Sequence, residues 1–478
     1  MARHSAEEAP EPEPKADETV PPHRDHRLPF HRTAGQHTPW IKPDGESYRS
    51  GIHPLKFLAI CGRSSNKVSA AVNVFWPAVP AALALHWARP DWHLAIFILS
   101  YIAMVPAANL IGFAGQELAR KLPKVFGVIL ETTLGSVVEI ILFVILIATI
   151  KNHDDAVRII KAAILGSILA NLLLCLGLCF LVGGIKRDEQ KFHEAVSEVG
   201  SGLMLVAGMG LVIPSAFSAA LRNDADFDTT HLGNEVLKIS RATAIMLLVA
   251  FLVYVFFQMR SHHGIYDELL EIDEQNDEDR HKDLAKAKLT FTECVLALVL
   301  ALTFVALIAD FLVNEIEWLV NERNVPDAFM GLILVPIVEK AAEHLTAIDE
   351  AWDNQMNFAL SHVLGASIQT ALLNTPIIVI VGWGLDIDMD LNFEVFDAVV
   401  LILAILVVGN FLRDGKSNYL EGYLCLTVYI MIAVSAYYYP DRLAEKEGTT
   451  RGEETVSPTA EAAKMAVRLL ARGAGVDL

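Results

Sequence analysis

Apolar runs long enough to cross a bilayer recur along the chain at 69–87, 93–115, 126–150, 159–183, 196–218, 241–259, 289–313, 327–348, 358–384, 394–412 and 419–439. They predict eleven membrane helices. The run at 327–348 stands apart, because Glu339, Lys340, Glu343 and His344 interrupt its apolar residues. A helix that polar fits a membrane only if its polar side faces protein or a wet cavity. Between the sixth and seventh runs lies an acidic stretch, Asp267 to Asp279, that divides the pattern in two.

Setting the first run aside leaves five helices on each side of that stretch. Five is odd, so the second set starts from the opposite face of the membrane, and the two sets form an inverted repeat. Internal matches support the division. Gly135-Ser136-Val137-Val138-Glu139 in the third run answers Glu339-Lys340-Ala341-Ala342-Glu343-His344 in the eighth. One helix later, Gly166-Ser167 with Asn171 answers Gly365-Ala366-Ser367-Ile368-Gln369. The predicted fold is therefore an all-α polytopic membrane protein with one extra N-terminal helix and two inverted five-helix repeats.

The predicted boundaries are a disordered cytosolic tail at 1–65, a first span and first repeat at 66–259, an acidic cytosolic linker at 260–288, a second repeat at 289–440 and a C-terminal tail at 441–478. Residues 1–60 are polar and hold no apolar core of a cleavable signal. Within the last tail, 460–472 reads as a short amphipathic helix. Lys and Arg in short loops (Arg120, Lys121 and Lys124, then Lys186, Arg187 and Lys191, then Arg413 and Lys416) place the N-terminus in the cytosol and the C-terminus on the lumenal side.

Composition sharpens this picture in two ways. The 478 residues are 53% hydrophobic, too apolar for an ordinary soluble domain. The net charge of −19 gathers in the first 20 residues, the linker and the C-terminus, which gives no support to nucleic-acid binding. The five cysteines show neither metal-ligand nor disulfide spacing. Glu339 to His344 contains a single His and is not the His-Glu-x-x-His zinc pattern, so no enzyme is expected. The linker lacks the Gly and Glu placement of an EF-hand loop.

What remains is a pair of carboxylate-bearing helices at equivalent positions. Intramembrane carboxylates are costly unless they serve an ion or proton path. Glu139 and Glu343 are the central candidates, with Ser136, Ser167, Asn171, Ser367 and Gln369 as oxygen donors suited to a hard cation. Glu131 and His344 are further candidates.

Taken together, these motifs resemble the cation/proton exchanger (CAX) family of the cation/calcium exchanger superfamily over roughly residues 65 to 440. In that family each half carries Gly-Asn-x-x-Glu, followed by a helix with a Gly-Ser-rich turn. The resemblance implies exchange of a cytosolic cation, Ca2+ or a related ion, for H+ at a vacuolar or other endomembrane. It implies no resident cofactor, and the lipid bilayer, cations and protons as partners.

Two departures stand out: Ser136 and Lys340 replace the motif asparagines, and Glu339 replaces the second glycine. An ammonium about 4 Å from a bound cation interacts with it by about 4 kcal/mol at an effective dielectric of 20, about a thousandfold in affinity. Three readings follow. Lys340 pairs with Glu339 or Glu131 and leaves divalent transport intact. Alternatively it replaces one bound charge and makes the site one for Na+ or K+ against H+. In the third it holds the site shut, and the protein is a sensor or scaffold.

Overall fold

The computed structural model describes residues 51–439 apart from 123, 150–152, 223–228 and 277–285, and apart from the side chains of 124–126, 128, 131, 132, 153–155, 229, 230, 263 and 270. The Glu131 side chain and the 460–472 segment thus lie outside the described residues.

All eleven apolar runs are helical. The first is α2 (Lys67–Val72) and α3 (Ala78–Ala88), joined by a 3-10 turn at Asn73–Phe75. The first repeat follows as α4 (His93–Ala119), α5 (Lys124–Thr149), α6 (His153–Leu169) continuing into α7 (Leu176–Lys186), α8 (Glu194–Leu221) and α9 (Thr229–Phe256). After the linker helix α10 (His263–Asn276), the second repeat is α11 (Phe291–Arg323), α12 (Val335–Trp352), α13 (Met356–Gln369) continuing into α14 (Thr375–Gly384), α15 (Val395–Phe411) and α16 (Tyr419–Tyr437). Among the described residues, eight helices are long and apolar enough to cross a membrane, and two shorter apolar ones cover 133–149 and 395–411. The charged segment of α12 is the eleventh.

Packing between the halves is reciprocal. The first helices of the two repeats, α4 and α11, share the most extensive interface in the fold, and α5 packs on α11 as α12 packs on α4. In the same way α7 meets α16 while α9 meets α14. Exchanging the halves reproduces the contacts, as an inverted repeat requires.

Small residues let backbones approach where lipid supplies no hydrophobic drive. A Cβ on Gly166 would run into the backbone of Leu332, and one on Gly331 would stand 2.8 Å from the Ile159 carbonyl. Gly177 and Gly422 seat α7 against α16 in the same way.

Among the described residues, π-helical turns lie at Ala170–Cys175, Phe257–Ser261, Met330–Leu334 and Thr370–Asn374. Those at Ala170–Cys175 and Thr370–Asn374 occupy equivalent places in the repeats, next to the Ser167 and Ser367 positions. Such insertions widen the helix and free backbone groups, and they concentrate at functional sites. At Met330–Leu334 the freed Leu334 carbonyl accepts a hydrogen bond from the Tyr101 hydroxyl at 2.8 Å.

Part of the expected tail is structured. Pro54–Arg63 forms α1, with Phe57 and Ile60 buried. Polarity alone hid it, because one short amphipathic helix carries too few apolar residues to stand out. Its flank is tied to the start of α11: the His53 backbone N–H donates to Glu293 Oε1 at 3.0 Å and Arg63 donates to the Ala287 carbonyl at 2.6 Å.

The expected acidic linker also contains order. Asp273 of α10 is buried and reads the start of α13, accepting from Asn357 Nδ2 at 2.8 Å and the Phe358 backbone N–H at 3.0 Å. Asn357 in turn accepts from the His193 backbone N–H at 2.8 Å. A two-residue pairing of β1 (Gln190–Lys191) with β2 (Lys416–Ser417) joins the loops at this same end.

Candidate ion site

Lys340 sits at the centre of the site. Its ammonium lies 2.9 Å from Glu139 Oε2 and 3.4 Å from Glu343 Oε2. The three side chains come from α5 and α12, the helices that carry the matched motifs. Lys340 and Glu139 are each only 1% exposed. The ion pairs of Lys340 are thus with Glu139 and Glu343, where the sequence suggested Glu339 or Glu131, whose side chain lies outside the described residues. The reason is helical spacing: Glu343 lies one turn along from Lys340 on the same face, and that face looks across to Glu139.

Glu139 Oε2 is crowded with donors. Besides Lys340 it accepts from Thr370 Oγ1 at 2.9 Å and Asn374 Nδ2 at 2.8 Å. Its other oxygen, Oε1, is enclosed without a hydrogen-bond partner. Buried polar oxygens are seldom left so. Glu339, only 3% exposed, is likewise enclosed, with the Ser167 hydroxyl as a polar neighbour. Among the described residues no three His, Cys, Asp or Glu side chains converge at metal-binding spacing; the ammonium takes the space between Glu139 and Glu343.

The remaining sequence candidates divide into four groups. Ser136 and Gln369 meet, the serine hydroxyl donating to Gln369 Oε1 at 2.8 Å. Ser167 lies 3.4 Å from the Thr370 hydroxyl, one step from Glu139. Asn171 turns aside to His344, its Oδ1 3.0 Å from His344 Nε2. Ser367 bonds back to the Val363 carbonyl of its own helix at 2.8 Å.

Thr370 and Asn374 escaped the sequence reading. They follow Gln369 in the π-helical turn, four residues apart, and a polar Thr and Asn on an otherwise apolar helix were the available signal. The Glu343 carboxylate presses against Gly135 so closely that a Cβ there would collide with it. The first motif's glycine is thus the seat of the second motif's glutamate.

A cavity walled by α5, α8, α9, α10 and α13 runs from the linker end to Gln369. Its lining extends from Tyr266 and Gln258 to Ile129 and Gln369.

The sequence profile of the sodium/calcium exchanger protein family matches residues 92–260 and 294–438, the two repeats without the linker. The chain belongs to this family, within its cation/proton exchanger (CAX) branch. Among curated proteins it is 32% identical to a vacuolar cation/proton exchanger of Arabidopsis thaliana, over 85% of this chain and 87% of that one. It is 31% identical to the vacuolar calcium ion transporter of Schizosaccharomyces pombe, over 83% and 92% of the two chains. A Ca2+/H+ antiporter of Aphanothece halophytica is 33% identical over 76% of this chain and 95% of its own length.

Solved exchanger structures share the fold. Native YfkE superposes with a TM-score of 0.60 at 25% identity, covering 76% of this chain and 99% of that one. The H+/Ca2+ exchanger CAX superposes with a TM-score of 0.55 at 14% identity, covering 80% and 94%. In this exchanger fold the paired acidic helices α5 and α12 stand at the contact between the repeats.

Proposed function

We propose that the protein is a secondary antiporter that moves Ca2+ out of the cytosol in exchange for H+, with Glu139 and Glu343 as the ligands that ion and proton share. The observation that carries this reading is the convergence of two carboxylates, one from each inverted repeat, on a single buried cationic position. A position that already holds an ammonium between two carboxylates is electrostatically suited to a cation. The enclosed, unpartnered Glu139 Oε1 supports the same reading.

Exchange follows from competition. Ca2+ takes oxygen ligands at about 2.3–2.6 Å, and a carboxylate that holds the ion that closely cannot also keep a proton on the same oxygens. Each therefore leaves as the other arrives. Thr370 and Asn374 orient the Glu139 carboxylate, and the paired Ser136 and Gln369 add neutral dipoles nearby. The relatives' names favour a vacuolar membrane. Gathering of the loops that hold Arg187, Lys191 and Lys416 at the linker end favours that end as the cytosolic face. The cavity that reaches Gln369 from there is then the cytosolic approach.

The test is radiolabelled Ca2+ uptake into proteoliposomes with an acidic interior. Uptake that collapses with the pH gradient and is abolished by Glu343→Gln is expected. Uptake of Na+ or K+ in place of Ca2+ contradicts the reading.

A further inference from the structure

The two motifs differ in one respect that the repeat makes plain. Where the first copy has Gly135 and Ser136, the second has Glu339 and Lys340. An acid and a base were placed side by side, so the cluster of Glu139, Glu339, Glu343 and Lys340 has three carboxylates against one ammonium and a net of two negative charges. That is the charge of Glu139 and Glu343 alone, and it still matches one divalent ion.

We propose that Lys340 and Glu339 are a built-in counter-ion switch for this site. Between transport events the Lys340 ammonium occupies the cation's place between Glu139 and Glu343, and on Ca2+ binding it passes to Glu339. The inference rests on the antiport reading above and specifies how the ion gains its site.

Three observations carry it. The ammonium already uses the Glu139 and Glu343 oxygens, at 2.9 and 3.4 Å, so it and a divalent ion exclude one another. Next along the chain, Glu339 is an enclosed carboxylate with the Ser167 hydroxyl beside it, and it lies within electrostatic range of Lys340, Glu139 and Glu343. Lysine also has the means to move, since its charge is compact and its four-carbon stem is flexible. The repeat explains why this second acceptor lies where it does. Glu343 packs against Gly135 in one half-site, and the equivalent place in the other half-site is position 339, where the third carboxylate stands near Glu139.

A switch of this kind lowers affinity without closing the site, because every bound Ca2+ must displace the ammonium. Removing the ammonium and its alternative partner together returns the second motif to the pattern of the first. Removing only the partner strands the ammonium among the transport carboxylates.

The experiment measures the Ca2+ dependence of pH-driven uptake in proteoliposomes for wild type, Glu339→Gln and the double substitution Glu339→Gly with Lys340→Ser. In parallel, the Ca2+-induced rise of the unfolding temperature in detergent reports binding to folded protein, independently of transport. The double substitution is expected to lower the KM at least tenfold and to reach its thermal shift at correspondingly lower Ca2+. Glu339→Gln is expected to raise the KM at least tenfold. If wild type transports Ca2+ and both variants stay within twofold of its KM and of its thermal-shift midpoint, the switch is overturned and the antiport reading stands. Wild-type vesicles that take up no Ca2+ overturn the antiport reading, and the switch with it.

Discussion

Glu139 holds three donors on one oxygen and none on the other, and this imbalance makes it the most demanding residue in the fold. A hydrogen bond to a charged group contributes about 1.5–3 kcal/mol, and removing one donor shifts the balance among ammonium, ion and proton. Asn374→Leu deletes the amide 2.8 Å from Glu139 Oε2. A fall in Ca2+/H+ exchange of tenfold or more is expected, with Thr370→Val acting in the same direction, and initial uptake rates in vesicles check both. Glu139 and Glu343 were legible in the sequence because a carboxylate in an apolar run is conspicuous and the repeat pairs them. Thr370 and Asn374 were not, because their π-helical turn breaks the 3.6-residue phase by which a sequence assigns helix faces. The partners of Lys340 were equally hidden: the sequence puts Glu339 and Glu343 close to it on one helix, and only the opposed packing of α5 and α12 brings Glu139 to it from the other repeat.

At the scale of elements, close helix approach and the docking of α10 set the geometry. The contact between α6 and the Met330–Leu334 turn leaves no room for a side chain at Gly166. Overpacking of this kind costs about 1–3 kcal/mol, occasionally more. Gly166→Val is therefore expected to lower the unfolding temperature by several degrees in detergent, while Gly202→Ala, with open space around it, leaves it unchanged.

The docking of α10 depends on pH through Asp273. Burial raises its carboxyl above the usual Asp range, although Asn357 and Phe358 donate to it and act the other way. With the folded value above the unfolded one, the neutral carboxyl favours docking. That contribution is full below the ordinary Asp value of about 3.9 and is lost as pH rises through the raised value. Amide exchange corrected for intrinsic rates is expected to show α10 less protected as pH increases through that window, and Asp273→Asn is expected to remove the dependence. The sequence showed the linker's charge but not this helix, since a single inward Asp among many acids carries no periodic signal. The eleven crossings, by contrast, were readable because length and apolarity are strong constraints in a bilayer.

At the scale of the whole molecule, the odd count of helices per half sufficed to predict opposed repeats, and the reciprocal packing of α4 with α11 and of α5 and α12 across them has that form. What the count could not supply was the occupant of the central position, which depends on side-chain geometry across the interface between repeats. The proposed exchange has cation and proton competing there for Glu139 and Glu343. Its most direct measurement is proton release from acid-loaded proteoliposomes on addition of external Ca2+, followed with a pH-sensitive dye, in wild type and Glu139→Gln. The expected result is proton efflux that requires Ca2+, saturates with it and disappears in the variant. Ca2+ entering without proton movement, or proton release that persists in Glu139→Gln, would contradict the account.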